Sequence, residues 1–175
     1  MKRFFAPVSA LLLMASGFIV WRSVRPFAPE PLRTPTSEQL FKAFPKNTRT
    51  IFENSEQFYF YSLDPSWLSQ RKNKFHDWGI LGRTPISDKA TQLQIRALYF
   101  DGIADTNFSA ACFNPRHGIR AVKGKDIFDL VICFRCGHSM MYLNGEKLGH
   151  HHFGSRLQTQ FDAILTDHDV PLAPK

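Results

Sequence analysis

From Phe4 to Trp21 the sequence runs for 18 residues without a charged side chain, with Lys2 and Arg3 before it and Arg22 and Arg25 after it. No other segment limits the chain's options as much. A helix apolar on every side has no polar face to turn to water, so it is expected in a membrane or a deep core. Its length just reaches the ~20 residues that cross a bilayer, and Trp21 suits the interfacial belt. A cleavable signal peptide has a shorter apolar region and a small-x-small site. Here Trp21, Arg22 and Ser23 stand where that site would be. No cysteine is close enough to carry a lipid. An uncleaved signal anchor over residues 1–25 is expected, with a cleaved signal peptide as the alternative. Lys2 and Arg3 favour a cytoplasmic amino terminus, and long domains translocate largely regardless of charge. The expected location is therefore the cell membrane, single-pass, with the rest of the chain outside the cytoplasm. A secreted or periplasmic product is the alternative.

Residues 26–36, PFAPEPLRTPT, carry four prolines in eleven positions and read as a semi-rigid polyproline spacer. Residues 37–175 then form a single globular domain. At 43% hydrophobic and 14% aromatic the sequence can build a sizeable core. The formal charge of +7 owes much to the anchor's flanks. Setting aside Lys2, Arg3, Arg22 and Arg25 leaves 18 of the 22 basic residues against 15 acidic ones. That balance of +3 is interspersed along the chain, without the basic stripe of a nucleic-acid binder.

Within the domain, Thr36 with Gln39 forms a capping box ahead of Leu40, Phe41 and Phe44, and Pro45 ends that helix. A short helical turn is expected over 48–54. The run QFYFYSLDP predicts a strand from Gln57 to Leu63, and a second strand is expected around Trp78 to Arg83, with a loop between them. Ser87 is the expected N-cap of the longest helix. Ile86, Ala90, Leu93, Ala97, Phe100 and Ala104 give that helix an apolar stripe read as core. Strand-like segments follow at AACF with GIRAV, at FDLVICF and at SMMYL. Lys123–Asp126 supplies one turn, and Asn144-Gly145 is a strong hairpin signal. A last helix is expected around Ser155 to Asp167. The fold class is α+β: a mainly antiparallel sheet with helices packed on one face, preceded by the N-terminal transmembrane segment.

At FYFYSLDP, FHDWGILGRTPI, AACFNPRHGIRA and DLVICFRC, over roughly residues 50–136, the chain resembles an uncharacterised family of bacterial envelope proteins, small α+β domains behind a signal or lipid anchor. The resemblance implies an envelope location and carries no activity or site.

The chemistry-bearing residues are few. Outside the cytoplasm two of Cys112, Cys133 and Cys136 are expected to pair. A hairpin centred on Gly124 sets Cys112 opposite Cys136, and Cys112–Cys133 is the rival pairing. Cys-x-x-Cys after a β-like run lacks the helix N-terminus that activates redox thiols. A two-residue turn at Asn144-Gly145 would set His138 opposite His151. Cys136, His138 and His151 would then share one face, with Cys133 or Cys112 completing a zinc-type set. NPRHG reads as a turn, or as a small anion pocket built on Arg116 and His117. His76 and Asp77 read as loop residues. There is no glycine-rich phosphate loop and no serine- or zinc-hydrolase motif. The expected function is therefore a membrane-tethered or secreted binding or structural module. It would hold an envelope protein or small ligand, with the membrane itself contacted through residues 4–21. No cofactor is required. The alternative is a thiol- or zinc-dependent enzyme using Cys133, Cys136 and His138.

Overall fold

A computed structural model describes residues 30–66, 69–105 and 110–174. The segment Phe4–Trp21 and most of the proline-rich spacer lie outside the described residues. Among the described residues no helix is long and apolar enough to cross a membrane. Pro31–Lys175 is one compact unit.

The fold is α+β, built on a curled antiparallel sheet of seven strands with few helices. In chain order the strands are β1 (Gln57–Asp64), β2 (Lys74–Phe75), β3 (Trp78–Pro85), β4 (His117–Lys123), β5 (Asp126–Cys133), β6 (His138–Leu143) and β7 (Glu146–His152). Their order across the sheet is β2-β3-β1-β4-β5-β6-β7. β4 to β7 are consecutive hairpin neighbours, so half the sheet assembles from local turns. The helices are α1 (Ser37–Ala43), α2 (Thr48–Glu53), α3 (Lys89–Ala104) and α4 (Gln158–Asp167).

Strand alternation divides the side chains between two cores. On the first face Phe58, Phe60, Ile119, Ala121, Phe128, Leu130, Ile132 and Met141 meet the buried residues of the helices. On the second face Tyr61, Leu63, Val131 and Tyr142 are covered by Phe75 and Trp78, with Tyr59, Ile80, Phe113 and Met140 at their margin. The second face is thus roofed by β2 and by the segment that carries Phe113.

The local signals placed most elements. Thr36 makes the expected capping box with Gln39. Three expectations are corrected. The N-cap of α3 is Asp88, whose carboxylate accepts from the amides of Ala90 and Thr91, one residue beyond Ser87. Its buried face carries Ile95, Leu98, Tyr99, Gly102 and Ile103, while Leu93 of the expected stripe is 63% exposed. The helix is apolar on more than one side, and the buried side also holds Arg96 and Asp101. Polar residues therefore hid the true core face. Arg96 donates to the Phe52 carbonyl at 2.8 Å and to Ser55 Oγ at 2.8 Å. Finally, AACF is not a strand, because the chain is irregular from Ala110 to Arg116; Pro115 cannot donate to a ladder.

At its amino-terminal edge the unit is tied down by charge. The Arg33 amide donates to Asp101 Oδ2 at 2.8 Å, and its guanidinium donates to Asp105 Oδ1 at 2.8 Å. Arg156 also pairs with Asp101.

Candidate functional site

The β6–β7 hairpin decides which polar groups meet. Asn144 and Gly145 both take positive φ, 52° and 87°, as a tight two-residue turn requires. Leu143 pairs with Glu146 and Tyr142 with Lys147, but Met141 pairs with Gly149. Leu148 is therefore an extra residue, a bulge, and Gly149 at φ 144° takes up the distortion. A one-residue slip turns every later side chain to the other face. His138 consequently faces His152, and His151 lies opposite Ser139. The expected pairing of His138 with His151 does not form. The bulge puts these two on opposite faces, so the zinc-type set of Cys133, Cys136, His138 and His151 is not brought together. Among the described residues no group of three or more His, Cys, Asp or Glu side chains could hold a metal ion.

On the helix side of β7, His151 is buried against α3. Its Nε2 lies 3.0 Å from the Tyr99 hydroxyl, which lies 3.1 Å from Ser139 Oγ. Burial, reinforced by the neighbouring imidazoles of His150, His152 and His138, holds His151 down at about 3. It is therefore neutral across the physiological range. Burial also raises the Tyr99 phenol well above its ordinary value, so both groups act as hydrogen-bonding rather than charged partners. His151 Nδ1 has no hydrogen-bond partner among the described residues. The ring lines a cleft of about 370 Å³ bounded by Thr36, Glu38, Gln39, Lys42, Ile103 and His152. A Lys42–Glu38 ion pair of 2.6 Å stands at its exposed wall. A buried orphan nitrogen, a neutral relay behind it and paired opposite charges at the rim suit a small polar ligand.

The sulfur atoms gather at the other end of β6. Cys133 and Cys136 form a disulfide, their Cα atoms 5.3 Å apart. Cys133 ends β5, and the bond staples the turn leading into β6. Cys112 is free and exposed, yet its Sγ is 3.2 Å from Cys136 Sγ. Neither expected pairing of Cys112 forms: the bond is the local Cys133–Cys136 one, and it is the irregular segment Ala110–Arg116, not a strand register, that brings Cys112 near Cys136. The Asn114 amide donates to Cys136 Sγ at 3.4 Å, and the Cys136 amide to Cys133 Sγ at 3.2 Å.

Arg116 and His117 do not share a pocket. Arg116 donates to the Ala173 carbonyl at 3.2 Å and to that of Pro174, clamping the C-terminal tail. His117 is 1% exposed among Phe60, Phe134 and Phe161. Its Nε2 stands 2.9 Å from Asp162 Oδ1. Burial lowers its pKa despite Asp162.

Sequence reasoning passed over one cluster entirely. On the second face Asp129 accepts from Arg120 through Nε at 2.8 Å and Nη2 at 2.7 Å. Its Oδ2 is also 2.9 Å from His76 Nε2. His76 stacks on Tyr142 with ring centroids 3.6 Å apart, and Arg120 lies over the Phe75 ring at 5.3 Å. Burial, with Asp77 and Asp129 beyond it, pushes the Tyr142 phenol up to about 12. The one available signal was a charged residue, Asp129, set inside an apolar strand; such a residue demands a buried partner. The polar atoms of this cluster bond one another, which is the mark of a brace rather than of a reactive site. Comparison with known proteins adds no relative: no protein family, curated protein or solved structure matches the chain.

Proposed function

We propose that the chain is an extracytoplasmic binding module of the cell envelope, held to the membrane through Phe4–Trp21 as a single-pass helix. Pro26–Thr36 then spaces the α+β domain from the bilayer. Its ligand occupies the cleft between α1, the end of α3 and β7. The observation that carries this reading is His151: a neutral, buried imidazole, positioned by Tyr99 and Ser139, presenting an unpartnered Nδ1 to a cleft with room for a small molecule. A buried polar atom without a partner costs ~1–3 kcal/mol, and a ligand that satisfies it recovers that cost on binding. Lys42 and Glu38 offer counter-charges to a carboxylate and an ammonium group. Ile103 offers an apolar contact, so an amino acid or short peptide fits the lining.

The test is a thermal-shift series on the full chain in mild detergent, with the common amino acids and a set of dipeptides as probes. A ligand at 100 times its Kd should stabilise the domain by ~2.7 kcal/mol, read as a rise of several degrees in Tm. His151→Phe, which keeps an aromatic ring against Tyr99 and removes the nitrogen, should abolish that rise. A flat series, or a rise that survives His151→Phe, would overturn the reading.

A further inference from the structure

Three sulfur atoms meet where β5 ends, and only one of them belongs to an exposed residue. Cys133 and Cys136 are bonded to each other and 0% exposed. Cys112 is free and exposed, and its Sγ stands 3.2 Å from Cys136 Sγ. Two backbone contacts hold it there. The Ala110 amide donates to the Cys136 carbonyl at 3.0 Å, and the Asn114 amide donates to Cys136 Sγ at 3.4 Å. The segment is thus tied to Cys136 on both sides of Cys112. Cys112 also lines a small cavity of about 170 Å³ with Ala110, Ala111 and Phe113.

From this arrangement we infer a thiol–disulfide exchange site, in which Cys112 carries the buried bond to the surface and a small dithiol is the substrate. A disulfide is exchanged by attack of a thiolate on one of its sulfurs. The Cys112 thiolate attacks Cys136 Sγ. The Cys112–Cys136 bond forms, the Cys133–Cys136 bond breaks, and its electron pair leaves on Cys133. The proton that Cys112 gives to water is matched by one that Cys133 takes up, so this step needs no oxidant or reductant. The leaving sulfur has a donor in place. The Cys136 amide donates to Cys133 Sγ at 3.2 Å, a contact that strengthens as charge arrives there. That amide supplies at the leaving thiolate part of what a helix N-terminus supplies in other redox pairs. The exchanged bond now includes the exposed Cys112 sulfur. One thiolate of the dithiol attacks it there, which frees Cys136 and leaves the substrate bonded to Cys112. The substrate's second thiolate then closes its own disulfide and releases Cys112. Two electrons and two protons pass from the dithiol to the protein's disulfide, and the chain ends with three thiols. The site uses neither His151 nor the cleft, so it stands or falls apart from the ligand proposed above.

The test is the rate at which dithiothreitol, a small dithiol, reduces the folded full chain in mild detergent at a fixed, weakly basic pH, read by acid quench, alkylation and intact mass. The parent chain should lose its disulfide ~10-fold or more faster than Cys112→Ser, whose bond stays between two buried sulfurs that the reductant cannot reach. Equal urea midpoints for the two oxidised chains exclude a loosened fold as the cause. In denaturing urea, where every sulfur is accessible, the two rates should converge. Cys133→Ser, which holds the bond at Cys112–Cys136, should be reduced at least as fast as the parent. A folded Cys112→Ser chain reduced as fast as the parent, or faster, overturns the site. So does a difference between them that persists in denaturing urea, or a Cys133→Ser chain reduced as slowly as Cys112→Ser.

Discussion

Replacing Asp129 by leucine isolates what the buried cluster on the second face contributes. Asp129 is 1% exposed and accepts two charge-assisted hydrogen bonds from Arg120, with His76 as its third partner. Leucine keeps the branched skeleton, with methyl groups in place of the carboxylate oxygens, but leaves the guanidinium without its carboxylate. Removing one partner of a buried pair costs ~3–5 kcal/mol. Arg120 keeps a third of its side chain in water, at 33% exposure, so the lower end of that range applies. We expect a loss of about 3 kcal/mol for Asp129→Leu and a similar loss for Arg120→Met alone. The double change Arg120→Met/Asp129→Leu removes both charges together. It leaves the Tyr61–Phe75 stack, with centroids 4.3 Å apart, to carry the packing. It should stand within about 1 kcal/mol of the parent chain, because an apolar pair of similar shape replaces a buried ion pair at little net cost. Urea unfolding of the full chain, followed by tryptophan fluorescence with Trp78 in the same core, gives each value from the midpoint and slope. Losses that add in the double variant would refute the reasoning, since they would mean that each side chain contributes through separate contacts. A single Asp129→Leu loss well under 1 kcal/mol would refute it too, and would free the carboxylate for a role other than bracing the fold.

Three further outcomes follow from particular contacts. In Cys133→Ser the remaining pair should oxidise to a Cys112–Cys136 disulfide, because those sulfurs already stand 3.2 Å apart; peptide mapping that finds both as free thiols after air oxidation would contradict the geometry. His117 should make the domain less stable in mild acid. Its folded pKa lies below the unfolded ~6.5, so the unfolded chain binds the extra proton, and stability is full above that value and lost as pH falls toward the folded one. Asp162 from α4 opposes that shift and Arg116 adds to it. His117→Phe, which suits the surrounding phenylalanines, should flatten the difference in urea midpoint between pH 7.5 and 5, and parallel profiles for the two chains would refute the assignment. Gly102→Ala in α3 should destabilise rather than gain the ~1 kcal/mol usual for a helix interior, because the new Cβ would lie 2.3 Å from Phe153 Cζ. The loss expected from overpacking is ~1–3 kcal/mol in Tm or urea data, and Phe153→Leu in the same chain should relieve it.

The parts of this fold that were legible in the sequence are those whose determinants lie within a few residues of one another. The Thr36–Gln39 box, the aromatic run of β1 and the turns at Gly124 and Asn144-Gly145 all worked through local hydrogen bonds or strand alternation. The failures share the opposite property. His76 gains its meaning from Asp129, 53 positions away, and no local pattern marks that partner. The α3 face was misjudged because Arg96 and Asp101 are buried only by virtue of partners on other segments, Phe52 and Ser55 for the one, Arg33 and Arg156 for the other.

The histidine run shows how small the missing information can be. The turn at Asn144-Gly145 was read correctly, and with it the pairing of Leu143 to Glu146. A single unpaired residue, Leu148, then inverted everything beyond it. Leu148 joins the first core, and Gly149 supplies the φ of 144° that the bulge needs. The sequence does contain a glycine there, but a strand glycine signals either a bulge or a close approach, and alternation alone does not choose between them. The burial of Leu148 is what chooses. With the bulge, one imidazole meets Tyr99 in the core while its two neighbours face His138 and Met140. Without it, His151 alone would have joined His138, and the cleft would lack its buried nitrogen. The buried nitrogen that the cleft presents therefore depends on one extra leucine.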